Sequence, residues 1–291
     1  MSDEESLINL DIGKLTKPAT ILIEKIAEAI GGLFRPYQIR RIAEAEAQAE
    51  KVRTLSQIEV TELQQRAMRR FLREEAKKQA NIESITQKAL PGLQDNSNPG
   101  AMDDDWIINF FDKCRLVSSE EMQILWSRLL AGEANSPGRF SRRTVNLLAS
   151  LEKADAELFA SLCCFRCCRR DADDPVGDPY IYDFENRVYN NSGLTFDTLT
   201  HLDGIGLISF NTAIGFGIMN LPQRIVMRYF DSSFGLEFKK PKDNRMHIGA
   251  AIFSKPGTEL AQICHSSPAF GFEEYLVNAW SSMQYKVSVI K

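Results

Sequence analysis

Between Arg35 and Leu90 the chain has no glycine and a single proline, Pro36, and Ala, Glu, Gln, Arg, Lys and Leu dominate its composition. Nearly every position there favours the helix. The run therefore reads as one helix of roughly 55 residues, about 80 Å long at 1.5 Å rise per residue. A helix of that length cannot be enclosed by a chain of 291 residues, so the remainder is expected to form a head on a helical stalk.

The apolar positions of this stretch form a narrow seam. Ile42, Ala45, Ala49 and Val52 keep the steps of a heptad, and Val60, Leu63, Ala67 and Phe71 continue in steps of three and four after Ser56. The second half fits eleven residues in three turns, a nearly straight or slightly right-handed packing rather than a left-handed supercoil. So thin and Ala-rich a seam leaves a lone helix marginal in water, and close packing against copies of itself is the expected remedy. Folding back onto its own head is the alternative. Twelve Lys or Arg stand against eight Glu in the same stretch, and Arg66, Arg69, Arg70 and Arg73 crowd one part of it. Such a group either solvates a helix face or meets phosphate.

An apolar helix precedes the stalk. Thr16 can cap it, Pro18 suits its first turn and Gly31-Gly32 closes it. Ile21, Leu22, Ile23, Ile26, Ile30, Leu33 and Phe34 make an unusually wide apolar arc, against a polar line of Thr20, Glu24 and Glu28. At about 25 Å it is short for a membrane span, and its glutamates would be costly in lipid. Three arrangements are open to it: docking in a groove of the head, lying in a membrane interface, or joint insertion of several copies with their polar lines facing inward.

After the stalk, Pro91-Gly92 and the run Gln94 to Gly100 read as a linker. Asp103, Asp104 and Asp105 then open a helix with Trp106, Phe110 and Phe111, and acidic residues in a first turn are favoured by the helix dipole. Ser118 to Glu121 reads as a capping box ahead of Met122, Leu125, Trp126, Leu129 and Leu130. Helices from Ser141 and from Asp155 complete an expected bundle over residues 103–170. Beyond Asp171 the texture alternates: strands around Tyr180 to Phe184, Gly206 to Phe210, Phe216 to Met219 or Ile225 to Tyr229, Leu236 to Lys239 and Ile248 to Phe253, and helices at Thr195 to Leu202, Gly257 to Cys264 and Phe272 to Met283. A helix followed by hairpin strands is the pattern of a winged-helix domain, although Thr195 to Leu202 lacks the basic residues of a DNA-reading helix.

Candidate chemistry is sparse. Cys164 and Cys167 have zinc-knuckle spacing, and Cys264 with His265 could supply a second pair. Cys163 to Cys168 lie, however, in what reads as a helical run, where cysteine is commonly a small apolar side chain. His201, His247 and His265 form no triad or ligand spacing, and the glycines at 204, 206, 215 and 217 lack the Lys and Ser/Thr of a phosphate loop. No catalytic residue and no cofactor are assigned. A net charge of -4 argues against nucleic acid binding by the whole surface. The acidic start Met1 to Asp11 is unlike a signal peptide, and six cysteines without a secretory signal read as thiols.

Several stretches together resemble a bacterial family, domain of unknown function 2806. They are Asp104-Asp105-Trp106 to Phe111, Ser119 to Gln123, Leu125 to Glu133, Pro137-Gly138, Ser141 to Thr144 and Asp155 to Phe159. The Lys17-Pro18-Ala19-Thr20 opening followed by a charged Ala-rich helix resembles, more widely, abortive infection alpha type proteins. The resemblance implies a bacterial cytoplasmic protein with a role in phage defence and supplies no catalytic residues.

The expected fold is mostly α with an α+β C-terminal part. An amphipathic helix (1–34), a stalk or coiled coil (35–90), a linker (91–102), a helical bundle (103–170) and a winged-helix-like α+β domain (171–291) follow one another. The expected function is that of a non-enzymatic homo-oligomer acting at the inner membrane as a phage-defence effector triggered by a phage or host protein. A soluble oligomeric scaffold is the alternative, and a nucleic-acid binder using Arg66 to Lys78 the second alternative. The expected location is the cytoplasm, peripheral to the inner membrane where the first helix meets lipid.

Overall fold

A computed structural model describes residues 15–31, 61–170 and 176–290. The chain divides into two compact units, Met1–Ala149 and Ser150–Lys291.

The described part of the first unit is helical. Helix α1 (Lys17–Ile30) begins where the Thr16 hydroxyl accepts from the Ala19 amide, and it ends at Gly31 with φ 73°. Helix α2 (Glu62–Ala89) starts with a reciprocal capping box between Thr61 and Gln64. This corrects the expectation of one unbroken helix from Arg35: the box satisfies the free amides of a new N-terminus, so the helical run is interrupted at Thr61. Residues 35–60 of that expectation, with Ile42, Ala45, Ala49, Val52 and Val60, lie outside the described residues.

Two short 3-10 turns, Leu90–Gly92 and Pro99–Ala101, lead into α3 (Asp104–Cys114), α4 (Glu120–Asn135) and α5 (Arg142–Ser150). Trp106, Phe110 and Trp126 fill the centre, with Trp106 stacked on Phe110 at 5.1 Å and Trp126 edge-on to Phe110 at 5.1 Å. Glu133 is only 1% exposed. Its two carboxylate oxygens accept from the Gly138 amide at 2.6 Å and the Phe140 amide at 2.9 Å, which ties the turn after α4 to that helix. Each side-chain oxygen thus replaces water for an amide of the turn, that of Phe140 being buried.

The second unit begins with α6 (Lys153–Cys163) and β1 (Arg166–Arg169). The expected bundle over 103–170 therefore loses its last helix to the α+β part. The helical run expected through Cys168 ends at Cys163, because β1 pairs antiparallel with both β2 (Asp178–Pro179) and β5 (Arg224–Tyr229). After β2 come α7 (Arg187–Asn190), α8 (Phe196–Gly204), β3 (Ile208–Phe210) and β4 (Phe216–Leu221). Past β5 follow β6 (Ser232–Glu237), β7 (Asn244–Gly249), β8 (Ala251–Phe253), α9 (Lys255–Ala261), α10 (Phe272–Ser282) and β9 (Lys286–Ile290). Tyr180 to Phe184, expected as a strand, is irregular beyond Pro179, and β9 has no counterpart in the sequence reading.

Among the described residues the main sheet has five antiparallel strands in the order β2-β1-β5-β6-β9, and the pairs β3-β8 and β4-β7 form two smaller sheets. Alternation along β5 and β6 sends Ile225, Met227, Tyr229, Phe234 and Leu236 into the core, where all are nearly inaccessible. Helix α10 covers that face with Trp280, which meets Phe234 edge-on at 5.6 Å. The Trp280 indole donates to the Tyr182 hydroxyl at 2.8 Å, and that hydroxyl donates to the His247 carbonyl at 3.1 Å. The opposite face of the main sheet carries the alternate residues of the same strands.

Candidate functional site: an exposed helix face and an open sheet face

Helix α2 changes character halfway along. Its C-terminal half buries Ile82, Ile85, Thr86 and Ala89, chiefly against α4. Polar pairs fix the register there: the Asn81 amide donates to the Arg115 carbonyl at 2.8 Å, Ser84 donates to Gln123 at 2.8 Å, and Lys88 meets Glu120 at 3.0 Å. From Thr61 to Lys77 every residue is exposed. Leu63, Met68, Phe71 and Leu72 are each more than half accessible, although side chains of that size are normally withdrawn from water.

At about 100° per residue, Leu63, Ala67, Phe71, Met68 and Leu72 occupy one half of the helix circumference. Arg66, Arg69, Arg70, Arg73 and Lys77 occupy an arc of about 100° on the other. Arg70 is paired along the helix with Glu74 at 3.5 Å. The described seam residues Leu63, Ala67 and Phe71 thus share a face, as do the four arginines, and the two faces are distinct.

Helix α1 has found a partner within its own unit. Leu22 and Ile26 are fully inaccessible, and a Cβ at Gly100 would stand 3.6 Å from Ile21 Cγ2, so Ile21 faces the turn Pro99–Ala101. Ile30 lines a cleft of about 300 Å³ with Ile82, Ile108 and Phe111. Lys25 Nζ lies 2.6 Å from Asp104 Oδ1, and that hydrogen bond raises the lysine above its ordinary range against the opposing effect of desolvation. Leu22 and Ile26, expected at a membrane or oligomer contact, are therefore intramolecular core, because α3 and the 3-10 turn offer the nearer apolar surface. Ile23 is half-buried; Leu33 and Phe34 lie outside the described residues. No helix among the described residues is long and apolar enough to cross a membrane.

The three aspartates point apart. Asp103 accepts from the Trp106 amide at 2.8 Å as the cap of α3, Asp104 faces Lys25, and Asp105 lies 3.6 Å from Arg142.

The weak metal candidates Cys164, Cys167, Cys264 and His265 are not assembled: no group of three or more His, Cys, Asp or Glu able to hold a metal ion occurs among the described residues. Cys167 points into the core on β1, where burial pushes its thiol well up. Cys164 caps α6, donating to the Ala160 carbonyl at 3.4 Å, and His265 is exposed. Burial also raises Cys163, and its hydrogen bond with Cys264 adds to that.

The open face of the main sheet carries a cleft of about 600 Å³ that no sequence motif marked. Arg170, Arg224 and Lys286 line it with one carboxylate, Glu237, and with Val226, Gly235, Ser288 and Ile290 among the remaining positions. Glu237 bridges Arg224 at 3.3 Å and Lys286 at 3.7 Å. A sequence signal existed for its last strand: Val287 and Val289 alternate with polar residues in Lys286 to Ile290, the period of a strand.

A family model described as a protein of unknown function, DUF2806, matches residues 65–277. No curated protein and no solved structure matches the chain.

Proposed function

The chain belongs to the DUF2806 family, and we propose that it is a non-enzymatic, self-associating protein whose contact surface is the exposed half of α2. One observation carries this reading: a single helix is anchored by Ile82, Ile85 and Ala89 while Leu63, Met68, Phe71 and Leu72 stand in water on one face. Burying a large apolar side chain contributes about 1.5 to 3 kcal/mol. Several of them withdrawn at once can offset the freedom lost on association. A second copy is the proposed occupant because Ala67, a small side chain between Leu63 and Phe71 on that face, lets like helices approach closely, and because the arginine arc then remains outward in every copy.

The burial of Leu22 and Ile26 supports the soluble scaffold over the membrane-acting form of this reading, since meeting lipid through α1 would first require both to leave the core of their unit. A role in phage defence is part of the proposal and rests on the wider resemblance alone. Its test is plaque formation on cells carrying the intact gene or the face variant described next. Groove reading by α8 is not part of the proposal: that helix carries Asp197 and Asp203 and ends in glycine.

Light scattering on the full chain tests the assembly, with a Phe71→Glu/Leu72→Glu double variant beside it. The wild type is expected to gain mass with concentration, and the variant to remain a monomer with unchanged thermal stability. A monomeric wild type, or a variant that still associates, overturns the reading.

A further inference from the structure

The cleft on the open sheet face lies wholly within the second unit and is independent of the helix reading. Strand register builds it. Arg224 pairs with Glu237 and Glu237 with Lys286, so these three form one row across β5, β6 and β9; Val226, Gly235 and Ser288 form the next. The Arg170 amide donates to the Val226 carbonyl at 2.9 Å, which brings Arg170 to the end of that second row. Neighbours in a row are about 5 Å apart, so the cationic groups converge over the central strands.

Gly235 keeps the floor low. A Cβ there would stand 2.6 Å from Ser288 Oγ, so any side chain at this position would fill the middle of the bowl. The volume left, about 600 Å³, lies within the range of small-molecule sites.

We propose that this cleft binds a small organic phosphate of nucleotide size. Among the described lining residues, three cations against one carboxylate leave a local excess of two positive charges, matching a phosphomonoester, which carries roughly -1.5 to -2 at neutral pH. The guanidinium groups of Arg224 on β5 and of Arg170, just past the end of the neighbouring β1, present the forked donors that phosphate oxygens accept in pairs. Glu237, half-buried between Arg224 and Lys286, orients both cations and leaves an acceptor for a hydroxyl or amino group of the ligand. Val226 and Ile290 offer the apolar contact that an organic moiety needs and inorganic phosphate does not. A nucleic-acid strand fits less well, because a cleft of about 600 Å³ has the size of a single small-molecule site rather than of a groove that tracks successive nucleotides.

Calorimetric titration of the full chain is the test, using adenosine 5′-monophosphate, adenosine, inorganic phosphate and a short oligothymidylate as probes. An Arg224→Gln/Lys286→Met variant is the control; these side chains are 77% and 82% exposed, so its far-UV circular dichroism should be that of the wild type. Saturable binding of the monophosphate is expected, weakened about tenfold or more in the variant, with adenosine and inorganic phosphate each binding more weakly. Equal binding to wild type and variant, no binding of the monophosphate, or binding of the oligonucleotide alone overturns the proposal. The helix-face variant should bind the monophosphate as the wild type does, which separates failure of this site from failure of the assembly.

Discussion

At the scale of single residues, the second unit holds a pair whose strength depends on pH. Asp155, on α6, lies 2.6 Å from the His201 ring on α8 and also accepts from the Glu152 amide at 2.9 Å. Partial burial pushes the Asp155 carboxyl up, but the His201 and Glu152 hydrogen bonds outweigh it and hold the carboxyl below its ordinary range. A carboxyl depressed in the folded state stabilises the fold above its unfolded value of about 3.9. That contribution is lost as pH falls through the lower folded value. Thermal midpoints measured from neutral pH into this acid window should therefore converge between wild type and Asp155→Asn, with the wild type higher at neutral pH by the equivalent of about 1 kcal/mol. A gap that persists unchanged at the acid end would contradict the ionic origin. In the sequence Asp155 reads only as the start of a helix; nothing in a spacing of 46 positions links it to His201.

At the scale of elements, α2 contains its own control. Ile85 is fully inaccessible and Phe71 is 57% exposed, yet both are apolar members of one helix. Ile85→Ala should cost about 2 to 5 kcal/mol through lost burial and the cavity left behind. Phe71→Ala should stay within about 0.5 kcal/mol in a monomer. Urea unfolding of the two full-length variants at low concentration checks the contrast. The helix itself was legible because its composition admits nothing else, and so was its arginine group. Its start at Thr61 is not legible in composition even though Thr61 and Gln64 carry a capping-box pattern, because helix-forming residues on both sides mask the box. Composition reports propensity everywhere, whereas a cap acts at one position.

At the scale of the whole molecule, two units each with its own core predict that Ser150–Lys291 folds when expressed alone. Its interior is closed by Trp280, Phe272, Tyr189 and Tyr229, all inaccessible, and its main sheet uses only strands from Arg166 onward. A single cooperative denaturant transition for that fragment, monitored by tryptophan fluorescence, is the expected result; a fragment without one would show that the division is not energetic. The amino-acid order alone determined the helical first part, the caps at Thr16 and Asp103, and the α+β texture of the C-terminal part, because these depend on neighbours within a turn or a strand; the box expected at Ser118 is replaced by a cap one residue later, at Ser119. Tertiary structure alone decided which apolar residues are core and which are surface. Leu22 and Leu72 are indistinguishable as letters, and only the presence of α3 beside one and water beside the other separates them. It also decided the cleft, since Arg224, Glu237 and Lys286 come from three strands, Arg170 follows a fourth, and they meet only through the pairing register, a long-range choice that no local pattern encodes.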